Sequence, residues 1–474
     1  MVMKKLLLMC LVVSRVACIP LTGNQTQDLS PVNLNDGELP FSLVIEVEDY
    51  TLPQGIQSAA ACQDNGQFLF IAGRSNGLHG FNNNNNNFPA NQQNTTVFVI
   101  DPKLKRVWKR SLYDQFSGLT QKQIDSLSVT SPQFYQAGRT LYITGGYGVD
   151  TASGTFSTKD VLTAINIPGL IAWVINQNSP KKASSSIRQI SNPVFQVTGG
   201  IMRQYGNGPT LLMFGQNFTG PYTPSSEGVY TQEIRRFRIL DNGKYLGVVV
   251  KQSTQANSNY RRRDLNIIPS ITFKGDKKIA GFIALSGVFT PDFGVWTVPV
   301  DIGVNGSASM ADPALASTFK QSINNYYCAR TELFSNSGSL YSILFGGITY
   351  QFLQNGEIAS DPEFPFTNQI AVIKRNRDGL YQQYLLSTTY PTIASTASNP
   401  GNTLLFGAGA QFMELANVPV YPNGVINLAH MHKEQVIGYI IGGIQSTLPN
   451  TNTTSDSAAS PYIFKVILYP KAQS

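Results

Sequence analysis

Leu141-Tyr142-Ile143-Thr144-Gly145-Gly146 is the stretch on which the reading of the fold turns. Four residues with strand propensity run into a glycine pair, at the point where a chain can enter left-handed backbone without a Cβ penalty. Five further copies have the same form. They are Phe68-Leu69-Phe70-Ile71-Ala72-Gly73, Leu211-Leu212-Met213-Phe214-Gly215, Phe282-Ile283-Ala284-Leu285-Ser286-Gly287, Tyr341-Ser342-Ile343-Leu344-Phe345-Gly346-Gly347 and Gly438-Tyr439-Ile440-Ile441-Gly442-Gly443. The final glycines recur after 73, 69, 72 and 60 residues, and the last after 96. Such a period marks a supersecondary unit that cannot bury its faces alone.

A second β-prone run and a tight turn precede the copies, as at Asp64-Asn65-Gly66, Ala137-Gly138, Asn207-Gly208 and Lys274-Gly275-Asp276, which predicts hairpins. A loop and a third β-like run follow. Thr96 to Asp101 then leads to Val107-Trp108, and Leu162 to Ile165 to Ala172-Trp173-Val174, which makes four antiparallel strands per unit. Radial repetition of four-stranded sheets is a β-propeller. The sequence therefore predicts an all-β chain with one β-propeller of six four-stranded blades, seven being possible if Thr403-Leu404-Leu405-Phe406-Gly407 begins another. The strand Phe41 to Val47 is left over at the start, and is expected to close the ring by covering the edge of the last blade.

Composition agrees with a folded, secreted chain. Only 13% of the 474 residues are charged and 42% are hydrophobic, which excludes a disordered chain, a coiled coil or a nucleic-acid arm. The net charge of +7 includes Lys4, Lys5 and Arg15 in the first eighteen residues, so no nucleic acid is implied. Lys4 and Lys5, the apolar run Leu6 to Val13 and the small residues at Val16 to Cys18 have the order of a secretory signal peptide. Neither that run nor Val436 to Ile444 approaches the roughly 20 apolar residues a bilayer requires, so no membrane span is expected. The predicted domains are a signal peptide over 1–18, a flexible segment over 19–40 and the propeller over 41–470. Secretion to the extracellular space would make Asn24, Asn94, Asn217, Asn305 and Asn452 acceptors for N-glycosylation. Cys62 and Cys328 each precede a glycine-ended strand, in different blades with another between them. They are predicted to be buried free thiols.

The unit resembles a kelch repeat, whose pattern is a strand ending in Gly-Gly, a strand with a terminal Asp-Pro, and a Trp a few residues later. Gly145-Gly146, Gly346-Gly347 and Gly442-Gly443 carry the pair, and Asp101-Pro102 with Trp108 the rest; Trp173 and Trp296 are the other possible repeat tryptophans. The resemblance implies a propeller that binds other molecules through its loops. With alternating strand directions, the long loops Arg74 to Thr95, Tyr147 to Thr158, Gln216 to Gly228, Ile348 to Asn368 and Ile444 to Ser460 fall on one face, where binding residues concentrate on a rigid scaffold. Arg74, Tyr147, Tyr222, Phe289, Tyr350 and Phe352 are the candidate binding residues there, with Phe81 and Phe218 beside them.

No catalytic set assembles from the motifs, and the chain calls for no cofactor and no metal. Gly73-Arg74-Ser75-Asn76-Gly77 lacks the helix a nucleophile elbow needs. His430 and His432 have no third ligand in sequence, and they fit poorly the two-His, Tyr-Cys site of the kelch-like copper radical oxidases. Six-bladed sialidases and kelch-like sialic-acid epimerases hold a carboxylate with clustered arginines, so Arg74, Arg139, Arg203, Arg261, Arg262, Arg263 and Arg330 leave open an enzyme acting on an acidic sugar in a central pocket. The main expectation is a non-enzymatic propeller that binds an extracellular protein or glycan, or joins an extracellular coat or matrix.

Overall fold

The computed structural model describes residues 29–83, 87–291, 294–451 and 453–471. The signal-peptide reading, Asn24 and Asn452 lie outside them. The chain forms a single all-β propeller. Each glycine-ended run is the second strand of its sheet, paired with the strand before it and the strand after it. The second blade shows the pattern: Gln133–Ala137, Thr140–Thr144, Val161–Asn166 and Ile187–Ser191 lie side by side, all antiparallel.

The apolar runs do not alternate with polar residues because both faces of each sheet are covered. Leu69, Ile71, Val97 and Val99 of the first blade pack on Leu141, Ile143 and Ile165 of the second. Similar cores follow in turn, and the last sheet returns to the first, with Ile441 and Ile463 against Phe68, Phe70 and Phe98. The ring is thereby closed by packing.

The glycine pair is the device that joins neighbouring sheets. Both residues take positive φ, for example 63° at Gly145 and 81° at Gly146. This turns the second N–H toward the chain entering the next sheet. Gly73 N donates to Val129 O, Gly146 N to Val197 O, Gly215 N to Arg262 O, Gly347 N to Phe406 O and Gly443 N to Ile56 O, at 2.7–2.9 Å. The last of these joins the end of the chain to its beginning. The approach is close enough that a Cβ on Gly145 would lie 1.9 Å from Val197 O.

The expected count of six four-stranded blades, or seven, is corrected. Five blades are four-stranded, and the sheet containing Ala329–Phe334, Leu340–Ile348, Phe366–Arg375 and Tyr381–Thr389 is six-stranded. Val32–Asn33 adds in parallel to its outer edge and Ile426–Asn427 to its inner edge. Thr403 to Gly407 starts no further sheet. Leu404 and Phe406 are buried between the six-stranded sheet and the closing blade, where this segment leads into Ala410–Glu414.

Phe41–Val47 is the outer strand of the closing blade, antiparallel to Ile463–Pro470. Its alternate residues Phe41, Leu43 and Ile45 are buried. The segment before it departs from the flexibility expected over 19–40. From Ser30 onward it is tied to the six-stranded sheet, with Asp36 Oδ2 accepting from Ser387 N and Oγ at 2.8 Å and Leu39 buried.

Two local readings are also corrected. Ala172-Trp173-Val174 belongs to a helix, Ile167–Ile175, capped by the Asn166 side chain with Pro168 in its first turn. Trp173 is buried in the core between the first two blades, and the fourth strand comes later. The long loops are partly regular, since Tyr147–Asp150 pairs with Thr155–Thr158, Gln351–Gln354 with Glu357–Ser360, and Ile444–Ser446 with Ser457–Ala459. Cys62 and Cys328 are buried free thiols. No helix among the described residues is long and apolar enough to cross a membrane.

Candidate functional site

A ring of equivalent residues surrounds the axis at the loop face, each just before an inner strand. Ser58, Ser131, Gly199, Asp264, Tyr327 and Gly409 all have positive φ, between 48° and 69°. Gly409 N donates to Tyr327 O, Ser58 N to Gly409 O, Ser131 N to Ser58 O, Gly199 N to Ser131 O and Asp264 N to Gly199 O, at 2.7–3.3 Å. The rim is a backbone girdle, and the side chains of Asp264 and Tyr327 are carried on it.

Above this rim the loops of the first four blades bring aromatic rings together. His79 lies 4.6 Å from Phe81, 4.8 Å from Phe88 and 4.8 Å from Tyr222, centroid to centroid. Phe88 meets Tyr147 at 5.5 Å and Tyr222 at 5.3 Å, and Phe218 meets Tyr222 at 5.4 Å. Arg263 joins from the chain entering the fourth blade. Its guanidinium sits 5.0 Å from the Phe289 ring centre and 5.9 Å from that of Tyr222, with Nη2 3.4 Å from the Tyr222 hydroxyl. Arg263 Nε is 3.8 Å from Asp264 Oδ2 and has no hydrogen-bond partner. His79, Tyr222, Arg263, Asp264, Phe289, Tyr326 and Tyr327 are half-buried, while Phe81 is 52% exposed.

The structure separates the expected binding residues into two groups. Tyr222 and Phe289 stand at this mouth. Arg74 and Tyr147 are in the same cluster but are buried supports, a correction that follows from their bonds. Arg74 donates to Asn76 Oδ1 and Pro89 O and lies over Phe88, and the Tyr147 hydroxyl donates to Gly220 O at 2.8 Å. Tyr350 sits farther out, 6.0 Å from Phe364, which in turn is 6.5 Å from Tyr326. Phe352 is elsewhere, lining a cavity of about 420 Å³ with Phe366, Tyr390, Leu405 and Pro449. Sequence reasoning missed His79, Phe88, Asp264 and Tyr326. The rim residues Ser58, Ser131, Gly199, Asp264, Tyr327 and Gly409 share no residue type, and only the three-dimensional ring makes their positions equivalent.

Electrostatics fix the state of the mouth. Burial, with Arg263 and Arg74 nearby, lowers the His79 pKa to about 4 despite its bond to Gly80 O. Because that carbonyl can only accept, Nδ1 at 2.8 Å carries the proton and Nε2 presents a lone pair. Burial raises the Asp264 carboxyl pKa, and Arg263 opposes that rise. The mouth therefore offers a neutral imidazole acceptor, a phenol, a carboxyl and a guanidinium among ring faces.

The seven candidate arginines are dispersed. Arg139 pairs with Asp64 between the first two blades on the turn face, Arg261 with Glu227, and Arg262 is buried with donors on the Asn259, Ser286 and Val298 carbonyls. Arg203 and Arg330 lie on inner strands. Among the sequons, Asn94 is buried, its Nδ2 donating to Ala72 O and Thr96 O, so it has no amide to offer a glycan. Asn217 is half-buried, and Asn305 is exposed in a turn. His430 ends a short 3-10 helix, and His432 is exposed.

No known family matches this chain, and no curated relative does. Among solved structures it is similar to one titled "Structure of YjhT", at 12% identity and a TM-score of 0.46, over 87% of this chain and 95% of that one.

Proposed function

We propose that this chain is a secreted, kelch-like propeller that binds a glycan at the loop-face mouth of its axis. One observation carries the reading: the first, third and fourth blades bring His79, Phe81, Tyr222 and Phe289 together with Arg263 and Asp264 in one chain of contacts. Ring faces beside hydrogen-bonding groups match the alternation of C–H faces and hydroxyls on a sugar. Asp264 and His79 Nε2 accept from hydroxyls, and Arg263 and Tyr222 donate. The glycine pairs, and Asp101-Pro102 with Trp108, support the kelch-like reading of the repeat.

The enzyme alternative asks for several guanidiniums at one point, whereas those present are divided among the mouth, the axis and the inter-blade contacts. Glycan-array binding by the purified chain tests the proposal. Tyr222→Ala and Arg263→Gln are each expected to lower the signal at least tenfold while thermal unfolding stays cooperative. A wild-type chain that binds no glycan but captures a protein partner, or variants that bind as well as wild type, would overturn it.

A further inference from the structure

The outer edge of the third blade is bare where other outer edges are guarded. In the six-stranded sheet Val32–Asn33 covers the outer strand, and in the closing blade Leu43 O accepts from Thr388 Oγ1. In the first blade Gln177 Nε2 donates to Lys109 O, and the outer strand of the fourth, Ala308–Met310, is three residues long. The third blade ends instead in the hairpin of Ile234–Asp241 and Leu246–Lys251, whose second strand holds Val248, Val249 and Val250 in a row and no proline.

Two bonds fix which backbone groups face out. Phe214 N donates to Glu233 O on the inner side of Ile234–Asp241, and Asn242 N to Tyr245 O at the hairpin end. Because hydrogen-bonded pairs alternate along antiparallel strands, Gly247, Val249 and Lys251 bond inward to Leu240, Arg238 and Arg236. The N–H and C=O groups of Leu246, Val248 and Val250 therefore point outward, where they meet no partner among the described residues.

The two faces of this edge differ in chemistry. One carries Arg236, Arg238 and Lys251, with Val249 48% and Leu240 40% exposed. Arg236 stands directly opposite Lys251, a like-charge pairing that costs stability. Neither these three nor Lys244 in the turn forms an ion pair among the described residues. The other face is apolar. Phe237, Ile239, Leu246 and Val248 belong to the core between the second and third blades, Asp241 is already paired with Arg188, and Val250 carries the apolar face into solvent at 49% exposed. Cations on an edge ordinarily deter a second strand. Here they occupy one face alone, so they deter only a strand that brings no acid to that face.

We propose that this edge is a docking site for an extended polypeptide segment in which acidic and apolar residues alternate. Such a segment adds a strand to the sheet, bonding through the outward groups of Leu246, Val248 and Val250. Its period of two sets acidic side chains beside Arg238 and Lys251, and apolar ones beside Val248 and Val250. The site lies on the outer circumference, apart from the mouth at the axis, and does not depend on glycan binding there.

A dye-labelled peptide of alternating glutamate and valine, titrated into the full chain by fluorescence anisotropy, tests this against a peptide of alternating lysine and valine. The acidic peptide is expected to bind at least about tenfold more tightly, and to weaken as salt rises from about 0.05 M to about 0.5 M. Val248→Pro removes an outward N–H and no inward bond, and is expected to weaken binding about tenfold or more while melting stays cooperative. Arg238→Glu combined with Lys251→Glu is expected to reverse the preference between the two peptides. If Val248→Pro fails to fold, the charge reversal and the exchange protection of the Val248 and Val250 amides by the acidic peptide still decide. No binding of the acidic peptide, equal binding of both peptides, or full binding by Val248→Pro would overturn the proposal. Vesicles containing phosphatidylserine bound in preference to the peptide would give the edge to a lipid surface, and would overturn it equally.

Discussion

At the scale of single residues, the glycine pair shows how backbone freedom becomes tertiary structure. At Gly145 the left-handed φ and the 1.9 Å approach to Val197 O leave no place for a side chain. Gly145→Ala is expected to destabilise the chain by about 2–4 kcal/mol in urea unfolding; a loss under about 0.5 kcal/mol would mean that the blade junction tolerates displacement. Ala72 occupies the equivalent position with φ of 64°. Ala72→Gly is expected to relieve about 1 kcal/mol of left-handed strain, with no gain in stability being the contrary result. Sequence alone showed the pair but not its purpose, because the carbonyl that each second N–H meets lies far along the chain, as from Gly146 to Val197 or from Gly443 back to Ile56.

Glu332 makes stability depend on pH in a direction unusual for a carboxyl. Its folded pKa of about 7 lies above the ordinary value of 4.5, so the folded state holds the proton more tightly. That contribution is fully present below about pH 4.5 and is lost as pH rises through about 7. Glu332→Gln should therefore raise unfolding free energy at pH 8, on the order of 1–3 kcal/mol, and change it little at pH 4. Equal effects at both pH values would show that the carboxyl is solvated. His79 runs the opposite way: with its pKa lowered to about 4, its contribution is lost as pH falls from about 6.5 through 4.

At the scale of elements, the strands were legible where periodicity and glycine punctuation agreed, and obscure where a side chain overrode them. All six glycine-ended runs are strands in the structure. Trp173 was not legible as helical, because an apolar run of this length reads equally as a buried strand, and the Asn166 cap with Pro168 decided the matter. The six-stranded sheet was hidden for another reason: its two added strands are two residues long and arrive from distant parts of the chain. Of the mouth, Tyr222 and Phe289 could be named from their loops, whereas Arg74 could not be recognised as a support without its carbonyl partner. Closure by Phe41–Val47 carries its own test. Deleting 41–50 removes seven paired residues from the edge of Ile463–Pro470 and the burial of Phe41, Leu43 and Ile45. Aggregation or non-cooperative unfolding is expected, and an unchanged melting transition would show that the ring is held by packing alone.

For the molecule as a whole, closure sets the functional geometry. Packing runs from sheet to sheet and returns from Ile441 and Ile463 to Phe68 and Phe70, so the rim residues are fixed relative to one another by the entire ring. A rigid girdle carrying Asp264 and Tyr327, topped by long loops that supply His79 and Tyr222, divides labour between positioning and recognition. Hydrogen exchange measured on the chain with and without a glycan selected from the array tests that division most directly. The account predicts protection confined to 74–83, 216–230, 259–265 and 286–290, with the turns near Gly66, Gly138 and Gly275 unchanged. Protection concentrated at those turns, or on the outer strands, would contradict it.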